Sequence, residues 1–386
     1  MSAGAVYDRL EGYGNRRVFV MLPYGLGQAS WRERKLSGAT WEETPYGYGF
    51  GGEFFDLSWS EDHHETSASN VLRRGIAKVL GFDVVHVWRN RRPLLRADVV
   101  WTHTEREHLA VALIKRVLRS RASFRTVAQT VWLWDRWARL SAPRRWLARW
   151  LLAAHDLEIT HSQLNLAISR AEAPGRTTAL CPFGTSAVTS DANMYDAAGN
   201  LVVSAGNDID RDWLALAGAA VEMPEVEFVV FSGSLAAREV EWPANVRLET
   251  DARVQRIRAH YEVASAVVVP LRPNLHASGL TVALESMSAG VPLVVSDVGG
   301  IRPYVSGEGV ELVPCGDANA LAAGIRAVRH NYRQEISAVL RSRRLSRGLT
   351  DRDYVLRYCL ATRSLLEDED IPEALSVYES LVESES

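Results

Sequence analysis

A chain of 386 residues, 47% hydrophobic and 24% charged, has the means to build full cores, and its length argues for two domains rather than one. Three scattered cysteines with no CxxC pair exclude a zinc ribbon or disulfide framework, and no uncharged stretch of about 18 residues offers a membrane span. The net charge of −3 hides an asymmetry: residues 1–180 carry 26 Lys+Arg against 18 Asp+Glu, a net of +8, while residues 181–386 carry 18 against 29, a net of −11.

In chain order, the first thirty residues lack the apolar run of a signal peptide, so a cytoplasmic location is expected. Short apolar strands then alternate with helical stretches, the pattern of a parallel sheet with helices on its faces. Strands are expected at Val18–Leu22, Val84–Trp88, Val99–Thr102, Thr126–Val131, Leu157–Thr160 and Thr178–Cys181. A second series follows at Leu201–Ala205, Glu227–Phe231, Ala266–Pro270, Leu293–Ser296 and Val310–Val313. Each half opens with a strand running into a small-residue turn, VFVMLPYGLG at 18–27 and LVVSAGND at 201–208. The expected fold class is α/β, with two Rossmann-like doubly wound domains facing a cleft and ligands at the carboxyl ends of the strands. The domains are read as residues 1–185 and 186–350, joined by the polar stretch Thr185–Asn200. A C-terminal helical segment, 351–386, crosses back to the first domain and ends in an acidic tail.

The stretch HASGLTVALESMSAGVPLVVSDVGG, from His276 to Gly300, carries the strongest chemistry. Ser278, Gly279, Leu280 and Thr281 form a turn that opens a helix running to about Ala289. The first N–H groups of a helix lack partners and its dipole is positive there, which suits phosphate. Glu285 lies one turn farther on, either facing a ligand or simply solvated. Arg211, in AGNDIDRDW, sits where the helix dipole disfavours a cation unless an anion compensates it, and guanidinium grips phosphate with two prongs. His276 flanks the phosphate turn. The turn Tyr24-Gly25-Leu26-Gly27 reads equally well as a tight turn or as a donor contact. WTHTEREH places His103, Glu105 and Glu107 at a strand's carboxyl end, where the general base of an inverting enzyme would sit. Glu105 and Glu107 serve a helix start equally well.

The order of elements, the phosphate turn, the helix Glu and AGVPLVVSDVGGI (Ala289–Ile301) together resemble the GT-B glycosyltransferases, most closely the retaining family 4 group. The detailed motif runs from about Leu201 to Val313. The resemblance implies a nucleotide-sugar donor of UDP or GDP type, with Glu285 on the ribose and the backbone of Ser278–Thr281 around the diphosphate. Asn207 and Arg211 stand near the positions of an Arg and a Lys that hold the diphosphate. The candidate donor-binding set is thus Gly25, Gly27, Asn207, Arg211, His276, Ser278, Gly279, Leu280, Thr281 and Glu285; the candidate catalytic set is Arg211, Glu285 and His103. Retention at the anomeric carbon, no essential metal and no cofactor are implied as well. With only Lys35, Lys78 and Lys115 in the chain, a pyridoxal enzyme with its Schiff-base lysine in the second domain is excluded.

The sequence departs from the family pattern at three places. Ala277 stands where a first Glu is usual, Gly299-Gly300 lead into IRPY rather than Pro-Glu, and Gln129-Thr130 fall where a His is common. The function read from the chain is sugar transfer to a saccharide or lipid-linked hydroxyl, in polysaccharide or glycolipid assembly. A sugar-nucleotide epimerase on this architecture and a partner protein that has lost activity are the alternatives. Between Lys115 and Trp150 lie ten basic residues, a single acidic one and five tryptophans. On a helical wheel of Arg144–Ala154, Trp146, Leu147, Trp150, Leu151 and Ala154 share a face. Residues 115–154 are therefore read either as a dock on an anionic membrane surface, at the inner face of the plasma membrane, or as core. Nucleic acid is not an expected partner.

Overall fold

The computed structural model describes residues 3–40, 42–187, 199–251, 253–331 and 334–382. Two six-stranded, all-parallel sheets form the framework. The first is built from β1 (Arg17–Met21), β2 (Asp56–Trp59), β3 (Val99–Thr102), β4 (Arg125–Thr130), β5 (Leu157–Thr160) and β6 (Thr178–Leu180), in the order β2-β1-β3-β4-β5-β6. The second is built from β7 (Leu201–Ala205), β8 (Glu227–Phe231), β9 (Val246–Glu249), β10 (Ala264–Val269), β11 (Leu293–Ser296) and β12 (Val310–Val313), in the order β12-β11-β10-β7-β8-β9. Both are doubly wound, and their order reverses between β1 and β3 and between β7 and β10. Ligands of such sheets sit at these reversals, outside the carboxyl ends.

Central strands such as β3, β5, β10 and β11 are buried along their whole length, because helices cover both faces. They therefore read as continuous apolar runs. The edge strands β2 and β9 have no fully buried residue, and this weaker pattern left them unrecognised in the sequence. The strand expected at Val84–Trp88 is instead a helix, Val84–Arg89. The Asp83 side chain accepts from the His86 N–H and caps it, a local bond that outweighs the β preference of the two valines.

Two chain segments pass side by side between the domains. Thr185 donates its N–H to the Leu349 carbonyl, and Asp351 donates to that of Thr185. Gly184 is required there, since a Cβ would lie 1.9 Å from the Thr350 oxygen. Of the join read as Thr185–Asn200, residues 188–198 lie outside the described residues, as do residues 383–386 of the acidic tail. The helix Asp351–Leu366 then lies on the first domain, against the segment Pro45–Glu53 and β4. Its Thr362 hydroxyl accepts from the buried indole N–H of Trp101 at 2.7 Å.

The tryptophans of 115–154 divide. Trp134 and Trp137 are core, with indole N–H groups on Glu158 and Glu172. Trp132 faces the cleft. In the helix Ala142–Leu152, Ala148, Leu151 and Leu152 turn inward, so the expected apolar face is only partly free. Leu151 belongs to the core because that side packs on the helix Glu105–Val117. Trp146 remains 66% exposed and stacks on half-buried Trp150.

Candidate active site

A cavity of about 420 Å³ lies between the two sheets' carboxyl ends. From the second domain, the turns after β7 and β10, on either side of the reversal, bring in Gly206, Asn207, Asp208 and Arg211, and the segment His276–Val282. The first domain contributes His103 after β3, Trp132 after β4 and His161 after β5, with Tyr46 from the Pro45–Glu53 segment.

Arg211 precedes the helix Trp213–Val221, whose cap is Asp212. Its side chain is only 3% exposed, and among the described residues Nε and Nη1 have no hydrogen-bond partner. Two glycines with positive φ make room for it. A Cβ on Gly206 would lie 2.3 Å from Nε, and one on Gly279 would lie 2.5 Å from Nη1. Burial lowers the guanidinium's pKa to about 10, so it remains charged at neutral pH. Beside it the helix Leu280–Ala289 begins, with left-handed Gly279 as its cap residue and no side-chain cap. The Leu280 N–H bonds to Ala277, which leaves Thr281 and Val282, the next two donors, without an intrahelical acceptor. The buried Ser278 hydroxyl is also unpartnered. A buried cation, a helix N-terminus and free donors thus converge on one place.

Glu285 is half-buried on the same helix, 3.4 Å from the Tyr261 hydroxyl. Burial and the nearby Glu42 carboxylate push its pKa up to about 7, against the Tyr261 hydrogen bond and the charges of Arg344 and Arg211. Asn207 lines the cavity, and its Oδ1 accepts from the Gly233 N–H, which fixes the turn. Gly25 and Gly27 are not brought to the cavity. Their N–H groups both donate to Asp62, each at 2.9 Å, so that turn satisfies itself. Glu105 and Glu107 are likewise absent from the lining; Glu105 accepts from the Val131 and Trp132 N–H groups, and Glu107 from the Thr104 hydroxyl.

His276 does a job that its sequence position did not announce. It is buried with Nδ1 3.2 Å from Asp135, Nε2 3.4 Å from Asp208 and Asp210 at 4.0 Å. Burial opposes its charge, but Asp135 and Asp208 outweigh burial and raise its pKa to about 9. Asp135 belongs to the first domain and also accepts from the N–H groups of Leu275 and His276. Asp135, Asp210 and His276 bring ligand atoms close enough to surround a cation. An imidazolium offsets the charge of one of those carboxylates, and a metal would have to displace its proton.

His161, Trp132, Tyr46, Asp208 and Asp135 escaped the sequence reading. His161 directly follows β5, so the carboxyl-end rule that picked His103 could have found it. Tyr46 comes from an irregular segment and carries positive φ (55°), which no periodicity reveals. The departure at IRPY acquires a role: the Tyr304 hydroxyl donates to the His161 carbonyl, and Gly300 lets Ser162 approach.

Residues 199–331 match the family described as glycosyl transferases group 1. No curated protein matches the chain. Among solved structures, a sucrose-phosphate synthase from Thermosynechococcus elongatus superposes with a TM-score of 0.64 at 16% identity, covering 92% of this chain and 98% of the other. HepE of Anabaena, in complex with UDP-glucose, gives 0.58 at 13%, covering 91% and 98%. The chain has the GT-B fold, with a domain of the group 1 glycosyltransferase type at residues 199–331. The lipopolysaccharide outer core galactosyltransferase WaaB is similar to it too, with a TM-score of 0.56 at 13% identity over 91% and 99% of the two chains. No described helix is long and apolar enough to cross a membrane.

Proposed function

We propose that this glycosyltransferase takes its sugar from a nucleoside-diphosphate donor, UDP or GDP in type, and passes it to the hydroxyl of a saccharide or lipid-linked acceptor. The observation that carries the reading is the buried guanidinium of Arg211, whose Nε and Nη1 have no partner among the described residues, beside the N-terminus of Leu280–Ala289. A diphosphate would complete both. The solved complex of HepE with UDP-glucose supports the same donor class here. Glu285, one turn past the diphosphate, takes the ribose hydroxyls.

In the reaction, the bond from the anomeric carbon to the phosphate oxygen breaks as the acceptor oxygen bonds to that carbon. The negative charge growing on the diphosphate is met by Arg211 and the free N–H groups of Thr281 and Val282. With retention, the leaving phosphate oxygen takes the acceptor's proton, and no metal is needed to hold the diphosphate. Thermal-shift measurement with UDP, GDP, ADP and their sugars tests the donor; a ligand at 100 times its Kd stabilises the fold by about 2.7 kcal/mol. Product analysis then separates transfer from epimerisation and from no reaction, and ligand-independent melting with every nucleotide would end the donor reading.

We further propose that the acceptor is lipid-linked, in polysaccharide or glycolipid assembly, and that the first domain docks on an anionic leaflet. Support comes from exposed Trp146 beside the helix Ser67–Leu80, which leaves Val71, Leu72 and Val79 uncovered and carries Arg74 and Lys78 without any acidic residue. Arg144, Arg145 and Arg149 already bond to Val79, Leu140, Ala138 and Glu172, so they add less than their number implies. Flotation with neutral and anionic liposomes tests the proposal; wild type should float with anionic lipid at low salt, Leu72→Glu with Trp146→Glu should not, and an indifferent wild type points to a soluble acceptor.

A further inference from the structure

His103 and His161 face the cleft from the first domain, and the hydrogen bonds behind them settle where their protons sit. His161 is the simpler case. Its Nδ1 lies 2.7 Å from the Cys181 carbonyl, which can only accept, so Nδ1 carries the proton. Its Nε2 is then a buried acceptor with no partner among the described residues.

For His103 the proton is set from a distance. The Gln129 amide donates to the His103 carbonyl at 2.7 Å, which turns Oε1 the other way. Tyr354 and Tyr358, both on the crossover helix Asp351–Leu366, approach that Oε1 at 2.5 and 2.6 Å. Two phenols so close to a carbonyl oxygen must both donate. Neither has a proton left for Tyr48, whose hydroxyl lies 3.0 Å from Tyr354, 3.2 Å from Tyr358 and 3.1 Å from His103 Nδ1. If Tyr48 donated to Nδ1, its oxygen would face two others with no proton between. If it donates to a tyrosine, it can still accept from an Nδ1–H, and one more bond is made. Tyr46 stacks on the His103 ring at 3.7 Å and fixes its plane.

We infer that Tyr48, held by the crossover helix, keeps His103 as the Nδ1–H tautomer, so that His103 and His161 both turn unprotonated Nε2 atoms to the cleft and select a sugar with hydroxyl donors over one with a carboxylate there. Burial keeps both rings neutral across the physiological range. A hydroxyl satisfies such a nitrogen; a carboxylate sets lone pair against lone pair. Tyr48 is a positioning residue, and the tautomers themselves do not depend on what binds. The sugar selection rests on the donor reading above.

Nitrogen-15 NMR of histidine-labelled full-length protein reads the tautomers. Wild type should show Nδ1–H for both rings, unchanged between pH 6 and 8. Tyr48→Phe should move His103, but not His161, toward Nε2–H; Tyr358→Phe, which leaves Tyr48 in place, should move neither. An Nε2–H His103 in wild type, or a Tyr48→Phe spectrum identical to wild type, overturns the relay. In kinetics, Tyr48→Phe should lower kcat/KM roughly fivefold, the value of one neutral hydrogen bond. Calorimetry should find a nucleotide-linked uronic acid bound at least about tenfold more weakly than the matching hexose. Equal binding overturns the selection, whereas failure of both nucleotides to bind strikes the donor reading and leaves the NMR result to judge the relay.

Discussion

Arg211 owes its place to what two neighbours lack. Gly206 and Gly279 have no Cβ, and the guanidinium lies in the space a Cβ would fill. Gly279→Ala would also force an L-residue to φ 76° and press on Val269 at 2.4 Å, so it should cost about 1–3 kcal/mol of stability, by denaturant unfolding, and weaken nucleotide binding. Arg211→Ala should cut turnover roughly 10²-fold at saturating donor, because the charge it meets grows in the transition state, and Lys should restore only part. Near-normal kcat in the Ala variant would mean that another group carries the diphosphate. Glu285→Ala should weaken nucleotide-sugar affinity by about 1–3 kcal/mol in calorimetry, the range for hydrogen bonds to a charged group. That Arg211 and Glu285 line the cavity was legible in the sequence, since an Arg before a helix and a Glu one turn past a glycine-capped helix start are both odd locally. Gly25 and Gly27 were misread: the same turn letters serve whether the N–H groups face a ligand or an Asp62 35 or 37 residues away.

At the scale of elements, the loop between β10 and the helix Leu280–Ala289 joins the domains. Asp135 grips its backbone and its His276, and Ser162 bonds to the Leu275 carbonyl at 2.5 Å. The His276 pKa is raised from 6.5 to about 9, so the protonated form belongs to the folded state. Its contribution to stability is complete below pH 6.5 and falls away as pH rises through about 9. Each tenfold gain in proton affinity is worth about 1.36 kcal/mol, so the loss amounts to a few kcal/mol at most. Thermal unfolding from pH 6 to 10 should show this decline in wild type and a smaller one in Asp135→Asn, where one carboxylate no longer favours the proton. A decline of equal size in both would place the titrating group elsewhere. Two of the four edge strands, β2 and β9, were missed for a related reason. An edge has few neighbours, and β2 and β9 have no fully buried residue, so they carry less apolar signal than the strands between them or than the edges β6 and β12, which keep buried residues.

Across the whole molecule, the crossover helix makes the first domain depend on the chain's end. Trp101 is fully buried at the centre of the first sheet, and its N–H has its bond from Thr362, 261 residues later. Thr362→Val, close in shape, should leave that donor unpaired and cost about 1–3 kcal/mol in denaturant unfolding. An unchanged midpoint would show that the indole finds another acceptor. The sequence by itself determined the two parallel sheets and their central strands, because burial on both faces writes a continuous apolar run into local sequence. It determined the glycine-capped turn before the helix Leu280–Ala289 as well, since a glycine cap and an uncapped helix start are local features. Only the tertiary structure decided which tryptophans are core, that Asp135 meets His276, and that three tyrosines and a glutamine stand behind His103. Those contacts join residues as far as 310 apart, and a hydrogen bond between distant side chains depends on the folded path of the chain rather than on any pattern in its neighbours.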